Sequence, residues 1–210
     1  MDKNYITKKS YDNISDKYSK LHFGPSNMLL SFFHGLMEIK NKSTILDIGA
    51  GTGRDAVELS KYFNNVICLD YSKYMLDTIN VKNNMTFVVS DILDDKLTFN
   101  KLSSIWMNGV IHHIDPKQHE ILFKRLYEWL DDTAPLFISY RHDLSNSFDN
   151  EFSENPRYYY KMNYKDIIRN LEKIGFSLVR HFEVKKKPTD TKSWIYIKAL
   201  KNTVGNTLYK

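Results

Sequence analysis

Apolar residues recur at steps of three and four near the start of the chain. Tyr11, Ile14, Tyr18 and Leu21 form one helical stripe. Gly24-Pro25 breaks it, Ser26 offers a cap, and Met28, Leu29, Phe32, Phe33 and Leu36 make a second helical face. From Ser43 the pattern changes, and short apolar runs alternate with amphipathic stretches. "STILDIG", "NVICLD", "MTFVVSD", "SSIWMNG" and "APLFISY" read as strands. "RDAVELSKYF", burying Ala56, Leu59 and Phe63, reads as a helix between them. So does a stretch from about Pro116 to Leu130 that presents Leu122, Leu126, Trp129 and Leu130. Strands separated by helices pair in parallel through right-handed crossovers, giving an open doubly wound sheet. The end of the chain departs from this rhythm. Asn163 caps a helix with Asp166 in its first turn, Ile167, Leu171 and Ile174 on its buried face and Gly175 as its stop. "FSLVRHFEV" and "SWIYIKAL" follow, joined by "KKKPTDTK", which is too short for a crossover helix. These two strands therefore pair antiparallel. The expected fold is α/β, a mostly parallel sheet with one antiparallel strand near an edge.

Composition bounds the picture. With 210 residues, 42% hydrophobic and 14% aromatic, the chain can build a sizeable core. It reads as a single domain over residues 1–210, divided into a helical block (1–40), an alternating core (43–140), a polar insertion (141–162) and a terminal helix with two strands (163–200). The formal charge is +5, yet lysines are spread along the whole chain. The densest run, Lys185 to Lys187, reads as a solvated turn before it reads as a phosphate contact. The single cysteine, Cys68, excludes an internal disulfide and lies in an apolar run as a buried thiol. No apolar stretch has the form of a signal peptide or a membrane span, so the chain reads as soluble and cytoplasmic.

The sharpest chemical signal is "ILDIGAGTGRDA". Gly49, Gly51 and Gly53 stand directly after a strand and before a helix, at the sheet edge where doubly wound folds bind ligands. The spacing is G-x-G-x-G, and Arg54 fills the place of the third glycine of a dinucleotide fingerprint. A nicotinamide oxidoreductase is thereby disfavoured. Asp70 ends the second strand, 21 residues after Gly49, where a carboxylate can accept both hydroxyls of a ribose. Asp91 ends the third, where it can accept from an exocyclic amine; either aspartate alone could be a helix cap.

Together these features resemble the class I S-adenosylmethionine-dependent methyltransferases. "LDIGAGTGR", "VICLDYSKYML", "FVVSDIL" and "SIWMNGVIHHI" look like their first four motifs, and "YDNISDKY" like their N-terminal lid helix. The resemblance implies a Rossmann-like seven-stranded sheet of order 3-2-1-4-5-7-6 with its seventh strand antiparallel, helices on both faces and residues 1–40 as a helical lid. It implies S-adenosyl-L-methionine as cofactor and S-adenosyl-L-homocysteine as product. Asp47, Gly49, Ala50, Gly51 and Gly53 would line the methionine part and Asp70 the ribose; Tyr71 and Met75 would pack on adenine, Asp91 and Ile92 would read its edge, and Asn108 would lie near the sulfonium. Tyr11 and Tyr18 of the lid helix would face the substrate, and residues 141–162 would cover it.

Beyond the cofactor the residues leave alternatives. His112 and His113 can shape the pocket, and His113 can accept a proton, since histidine titrates near neutrality. With Asp115 and His119 they do not follow a metal-ligand spacing, so no metal site is expected. Arg141 and His142 follow the fifth strand, where Arg141 can pair with an anionic substrate or with a loop carboxylate. In "NPRYYYKMN", strand alternation sends Tyr158 and Tyr160 to one side and Tyr159 to the other. Tyr158 and Tyr160 are candidates for the acceptor-pocket wall, for packing on the lid helix, or for a base-stacking platform. The expected activity is methyl transfer to an oxygen or nitrogen of a small molecule. Methylation of tRNA or another nucleic acid, and a non-catalytic cofactor-binding subunit, are the alternatives. No membrane partner is expected, and oligomeric state is not legible.

Overall fold

The computed structural model describes residues 2–22, 24–142, 144–149, 152, 154–185 and 193–202, all but the side chain of Leu178. Helix α1 (Lys3–Leu21) is capped by Asp2, whose carboxylate accepts from the Asn4 N–H. Helix α2 (Asn27–Met37) is capped by Ser26, whose hydroxyl accepts from the Leu29 N–H. Alternation follows: β1 (Thr44–Ile48), α3 (Ala56–Leu59), β2 (Asn65–Asp70), α4 (Lys73–Asp77), β3 (Met85–Val89), β4 (Ser104–Asn108), α5 (His119–Trp129) and β5 (Pro135–Arg141). A small hairpin, β6 (Ser147–Asp149) and β7 (Arg157–Tyr159), precedes α6 (Tyr164–Ile174), β8 (Phe176–Lys185) and β9 (Ser193–Lys201).

The main sheet has the order β3-β2-β1-β4-β5-β9-β8. With the separate β6–β7 hairpin set aside, this is the order 3-2-1-4-5-7-6, and β9 runs antiparallel to both β5 and β8. The fold is the expected Rossmann-like one, a mostly parallel sheet with helices around it. Its two faces bury separate cores because successive strand residues point opposite ways. Trp106 and Phe137 join Phe32 and Leu36 of α2 on one face. Met107 and Ile138 join Leu122 and Leu126 of α5 and Leu171 of α6 on the other.

Three local expectations change. The helix after the glycine loop is only four residues long. The Ser60 hydroxyl bonds back to the Val57 carbonyl, and the chain leaves through tight turns that still bury Phe63. The helix expected from Pro116 opens as a 3-10 turn over Pro116–Gln118, capped by Asp115, before α5 begins. In the polar insertion, where the sequence marked strand alternation only at the tyrosine run, that run pairs with a second strand, β6, in a hairpin. Asn163 caps α6 through the Lys165 N–H, and Gly175 ends it with φ +119°. The proposed solvated turn at Lys185–Lys187 and the rest of that connection fall, beyond Lys185, outside the described residues. No helix among the described residues is long and apolar enough to cross a membrane.

Candidate active site

The three loop glycines are required for different reasons. A Cβ on Gly49 would collide with a Val110 methyl, and one on Gly53 would meet Ile79 at 2.7 Å. Gly51 has open space beside it but takes φ +54°, which side chains resist. Its N–H donates to one Asp70 carboxylate oxygen at 2.9 Å, and the Ser72 N–H donates to the other at 2.9 Å. Asp70 thus ties the glycine loop to the end of β2. Burial pushes its carboxyl up to about 6 against the lowering effect of those two N–H groups.

Two chambers open on this loop. The first is lined by Asp70, Tyr71, Met75, Asp91 and Ile92 from the sheet edge, and by Asn4, Thr7, Tyr11 and Tyr18 of α1 as its roof. Asp91 spends one oxygen on the Leu93 N–H at 2.9 Å. The second chamber, of about 630 Å³, is lined by Asp47, Ala50, Asp55, His112, Arg141, Arg157, Tyr159, Trp194 and Tyr196. Tyr11, Tyr18, Gly49, Gly51, Asn108 and Gly109 border both. The Asn108 amide is held on both sides: its NH2 donates to Asp55 at 2.9 Å, and its carbonyl accepts from Ser139 at 2.5 Å.

The two histidines are held as neutral rings of different tautomer. His113 Nδ1–H donates to the Tyr158 carbonyl at 2.7 Å, so its Nε2 is an acceptor, and the Tyr11 hydroxyl donates to it at 3.0 Å. Burial brings His113 down to about 4. His112 is the reverse. Its Nδ1 accepts from the Arg141 N–H at 3.2 Å, so its proton sits on Nε2, and burial followed by His113 and the two arginines holds it well below the usual histidine range. Several buried polar groups on the second chamber have no protein hydrogen-bond partner among the described residues. They are the Asp47 carboxylate, His112 Nε2, and the hydroxyls of Tyr159 and Tyr196. Burial, then the neighbouring carboxylates Asp55 and Asp70, raise Asp47 well above the carboxylate range. Asp149 sits against Arg157 at 3.2 Å and Arg141 at 3.7 Å.

The structure redistributes the sequence candidates. All eleven proposed cofactor residues except Gly53 line one or both chambers, and Gly53 sits behind the loop against Ile79. Tyr11, Tyr18, His112, His113 and Arg141 also line them. Tyr158, Tyr160 and His142 line neither. The β6–β7 register pairs Phe148 with Tyr158, turning Tyr158 and Tyr160 toward Lys3 of α1. Alternation holds, but Tyr159 takes the chamber face, packed on His112 and His113. His142 turns instead toward Tyr140 and Tyr164. Sequence reasoning also passed over Asp55 and Arg157, both buried. Their only signals were adjacency to the glycine loop and to the tyrosine run. No group of three or more metal-type side chains occurs among the described residues.

The arrangement fits a nucleoside-bearing cationic cofactor. Asp70 and Asp91 can take its hydroxyls and amine in the first chamber, and a partnerless buried carboxylate, Asp47, can take an ammonium in the second. Residues 45–133 match the family model for a methyltransferase domain. Over that segment the chain is similar to methyltransferase domains, and its fold is that of the class I S-adenosylmethionine-dependent enzymes. The chain is 28% identical over 127 residues to phosphoethanolamine N-methyltransferase 1 of Triticum aestivum, covering 55% of this chain and 24% of that one. The chain thus spans about a quarter of that relative's length. In structure it is similar to Haemonchus contortus phosphoethanolamine N-methyltransferase 2 with phosphomonomethylethanolamine and S-adenosylhomocysteine (TM-score 0.72, 18% identity, 91% of this chain and 58% of that). It is also similar to magnesium protoporphyrin IX methyltransferase of Synechocystis PCC 6803 with bound S-adenosylmethionine (TM-score 0.71, 17% identity, 96% and 98%).

Proposed function

We propose that the methyltransferase acts on an oxygen or nitrogen of a small acceptor held in the second chamber, with Tyr11 and His113 taking up the acceptor's proton. The observation that carries this reading is the Tyr11–His113 hydrogen bond at the border of the two chambers. S-adenosyl-L-methionine supplies an activated methyl group on a sulfonium. Asp47, Asp70, Asp91 and the Gly49–Gly53 loop would hold it, with Met75 and Ile92 against the adenine. The chain's own work is alignment, exclusion of water and proton transfer. As the acceptor atom gains the methyl, its proton passes to the Tyr11 oxygen while the Tyr11 proton passes to His113 Nε2. The Tyr158 carbonyl steadies the resulting imidazolium through Nδ1–H. A ring held near 4 keeps that proton only until water reaches it.

The acceptor's other end is read by donors. His112 Nε2–H and the Tyr159 hydroxyl stand without protein partners, and the Arg141 and Arg157 guanidiniums lie beside Tyr159. An electronegative group, a carboxylate or phosphate, suits that set. The wheat and Haemonchus relatives are named for a phosphorylated amine, which has this chemistry. The roof of α1 and the β6–β7 hairpin favours such a molecule over a nucleic acid, and the lone buried thiol suits the cytoplasm. The test is to incubate the protein with methyl-labelled cofactor and a cell extract, then with phosphoethanolamine and ethanolamine. Label in the small-molecule fraction, with a preference for anionic acceptors, is expected. Label confined to RNA or protein overturns the reading.

A further inference from the structure

Asp55 is a carboxylate that the proton relay does not use, 3% exposed, yet it accepts four hydrogen bonds from two separate parts of the fold. The Ser26 N–H and hydroxyl reach it at 2.7 Å each. Trp106 Nε1–H donates at 3.0 Å and the Asn108 amide at 2.9 Å. Its neighbour Arg54 donates to the Gly24 carbonyl at 3.1 Å and the Pro25 carbonyl at 3.2 Å. Three consecutive residues, Gly24 to Ser26, are therefore gripped by two consecutive residues that follow the glycine loop. Those three residues belong to the joint between α1, which roofs both chambers, and α2, which is buried in the core. Gly24 turns there with φ +73°. On the other side, Asn108 passes the connection to Ser139, whose hydroxyl also accepts from the Gly109 N–H at 3.1 Å.

We propose that Arg54 and Asp55 are positioning residues that clamp the α1–α2 joint, so that the roof helix and the Asn108–Gly109 wall are set by the end of the cofactor loop. This rests on the reading that the cofactor lies beneath α1. The arginine at the place of a third glycine then has a reason. A glycine there would free the helix to approach a pyrophosphate, whereas Arg54, at the wall of the second chamber, reaches across to hold the roof's joint. The clamp touches no reacting atom; its effect is on how firmly α1 closes over what the loop has bound.

S-adenosylhomocysteine is the probe. In the wild type it should bind, and should slow hydrogen exchange in α1. Arg54→Ala leaves the core untouched and should release bound S-adenosylhomocysteine about tenfold faster in stopped flow, with α1 protection reduced. Exchange in β1, β4 and β5 and the unfolding temperature of the free protein should stay unchanged. Arg54→Lys, which keeps a donor and the charge, should recover part of the slow release. Asp55→Asn turns one acceptor oxygen into a donor facing donors and should have the larger effect. If it does not fold, the Arg54 pair decides. Wild-type release and wild-type α1 protection in Arg54→Ala overturn the proposal, as does a uniform rise in exchange across the sheet. A wild type that does not bind S-adenosylhomocysteine overturns the cofactor reading itself, and the clamp with it.

Discussion

Asp70 is bound on both oxygens by backbone N–H groups, yet its carboxyl is pushed up to about 6 by burial. The sign of its two pH effects differs. Its folded-state value lies above the ordinary 3.8, so the free folded protein holds a proton between about pH 4 and 6 that the unfolded chain has lost. Its contribution to the free protein's stability therefore falls as pH rises through that window. Cofactor affinity should run the other way, because ribose hydroxyls donate best to the ionised carboxylate. Calorimetry with S-adenosylhomocysteine should show affinity rising through pH 6 and level above about 7, and Asp70→Asn should remove that slope. The same substitution should weaken binding by roughly 10- to 100-fold, the loss of a charge-assisted hydrogen bond of about 1.5–3 kcal/mol. His113, brought down to about 4, stays neutral throughout, so turnover at saturating cofactor should be flat from about pH 6 to 8. Tyr11→Phe breaks the relay and should lower kcat by roughly 10²-fold or more with cofactor affinity little changed. An unaltered kcat would remove Tyr11 from the proton path.

At the scale of elements, α1 and the segment before and within β7 are sewn together by polar contacts. The Tyr158 N–H donates to the Thr7 hydroxyl at 2.9 Å, Ser10 donates to the Pro156 carbonyl at 2.6 Å, and Asn13 bonds Asn155 at 2.9 Å. Ser72 adds a bond to Asp12 at 2.5 Å from the start of α4. Roof and acceptor wall are thus one assembly. Thr7→Val keeps the shape but leaves the Tyr158 N–H buried without a partner, an expected cost of about 1–3 kcal/mol borne by the roof alone. Limited proteolysis should then cut within residues 3–21 faster while the sheet survives; unchanged cleavage would mean the seam is not what seats α1. This seam also marks where the sequence stopped being legible. The apolar stripe pointed to Tyr11, Ile14, Tyr18 and Leu21, but Leu21 is exposed and the buried residues include Thr7, Ser10 and Ser15. Their burial follows in part from partners about 150 residues away, which no local periodicity records. Of the readings open for Tyr158 and Tyr160, the structure gives packing on α1, while Tyr159 takes the chamber face, for the same reason. Alternation was visible in the tyrosine run, while the face toward the chamber was set by pairing with β6.

For the molecule as a whole the sheet was legible because each strand is a short apolar run and each crossover follows a handedness rule. The antiparallel edge followed from a short connection. The proposed cofactor residues lie on those same strand ends, where position along the chain follows position in space. The second chamber, the proposed acceptor side, is built from α1, the 3-10 turn at His112–His113, β5, β7 and β9, brought together only by the closed fold. That difference in origin predicts a difference in behaviour. A ligand bound across α1 and the sheet edge should stabilise the entire domain, by about 2.7 kcal/mol at a concentration 100 times its Kd. For a chain of this length that raises the unfolding temperature by roughly 5–10 °C, at about 2–4 °C per kcal/mol. S-adenosylhomocysteine should produce such a shift in the wild type and little of it in Asp70→Ala. The charge of +5 adds a second expectation. If the acceptor were a nucleic acid, binding would fall by several orders of magnitude between about 50 and 200 mM salt through counterion release. A small anionic acceptor gripped in an enclosed chamber loses only what screening takes from one or two contacts, so kcat/KM should change by no more than a few-fold over that range. A steep salt dependence of methyl transfer would move the acceptor from the chamber to the surface.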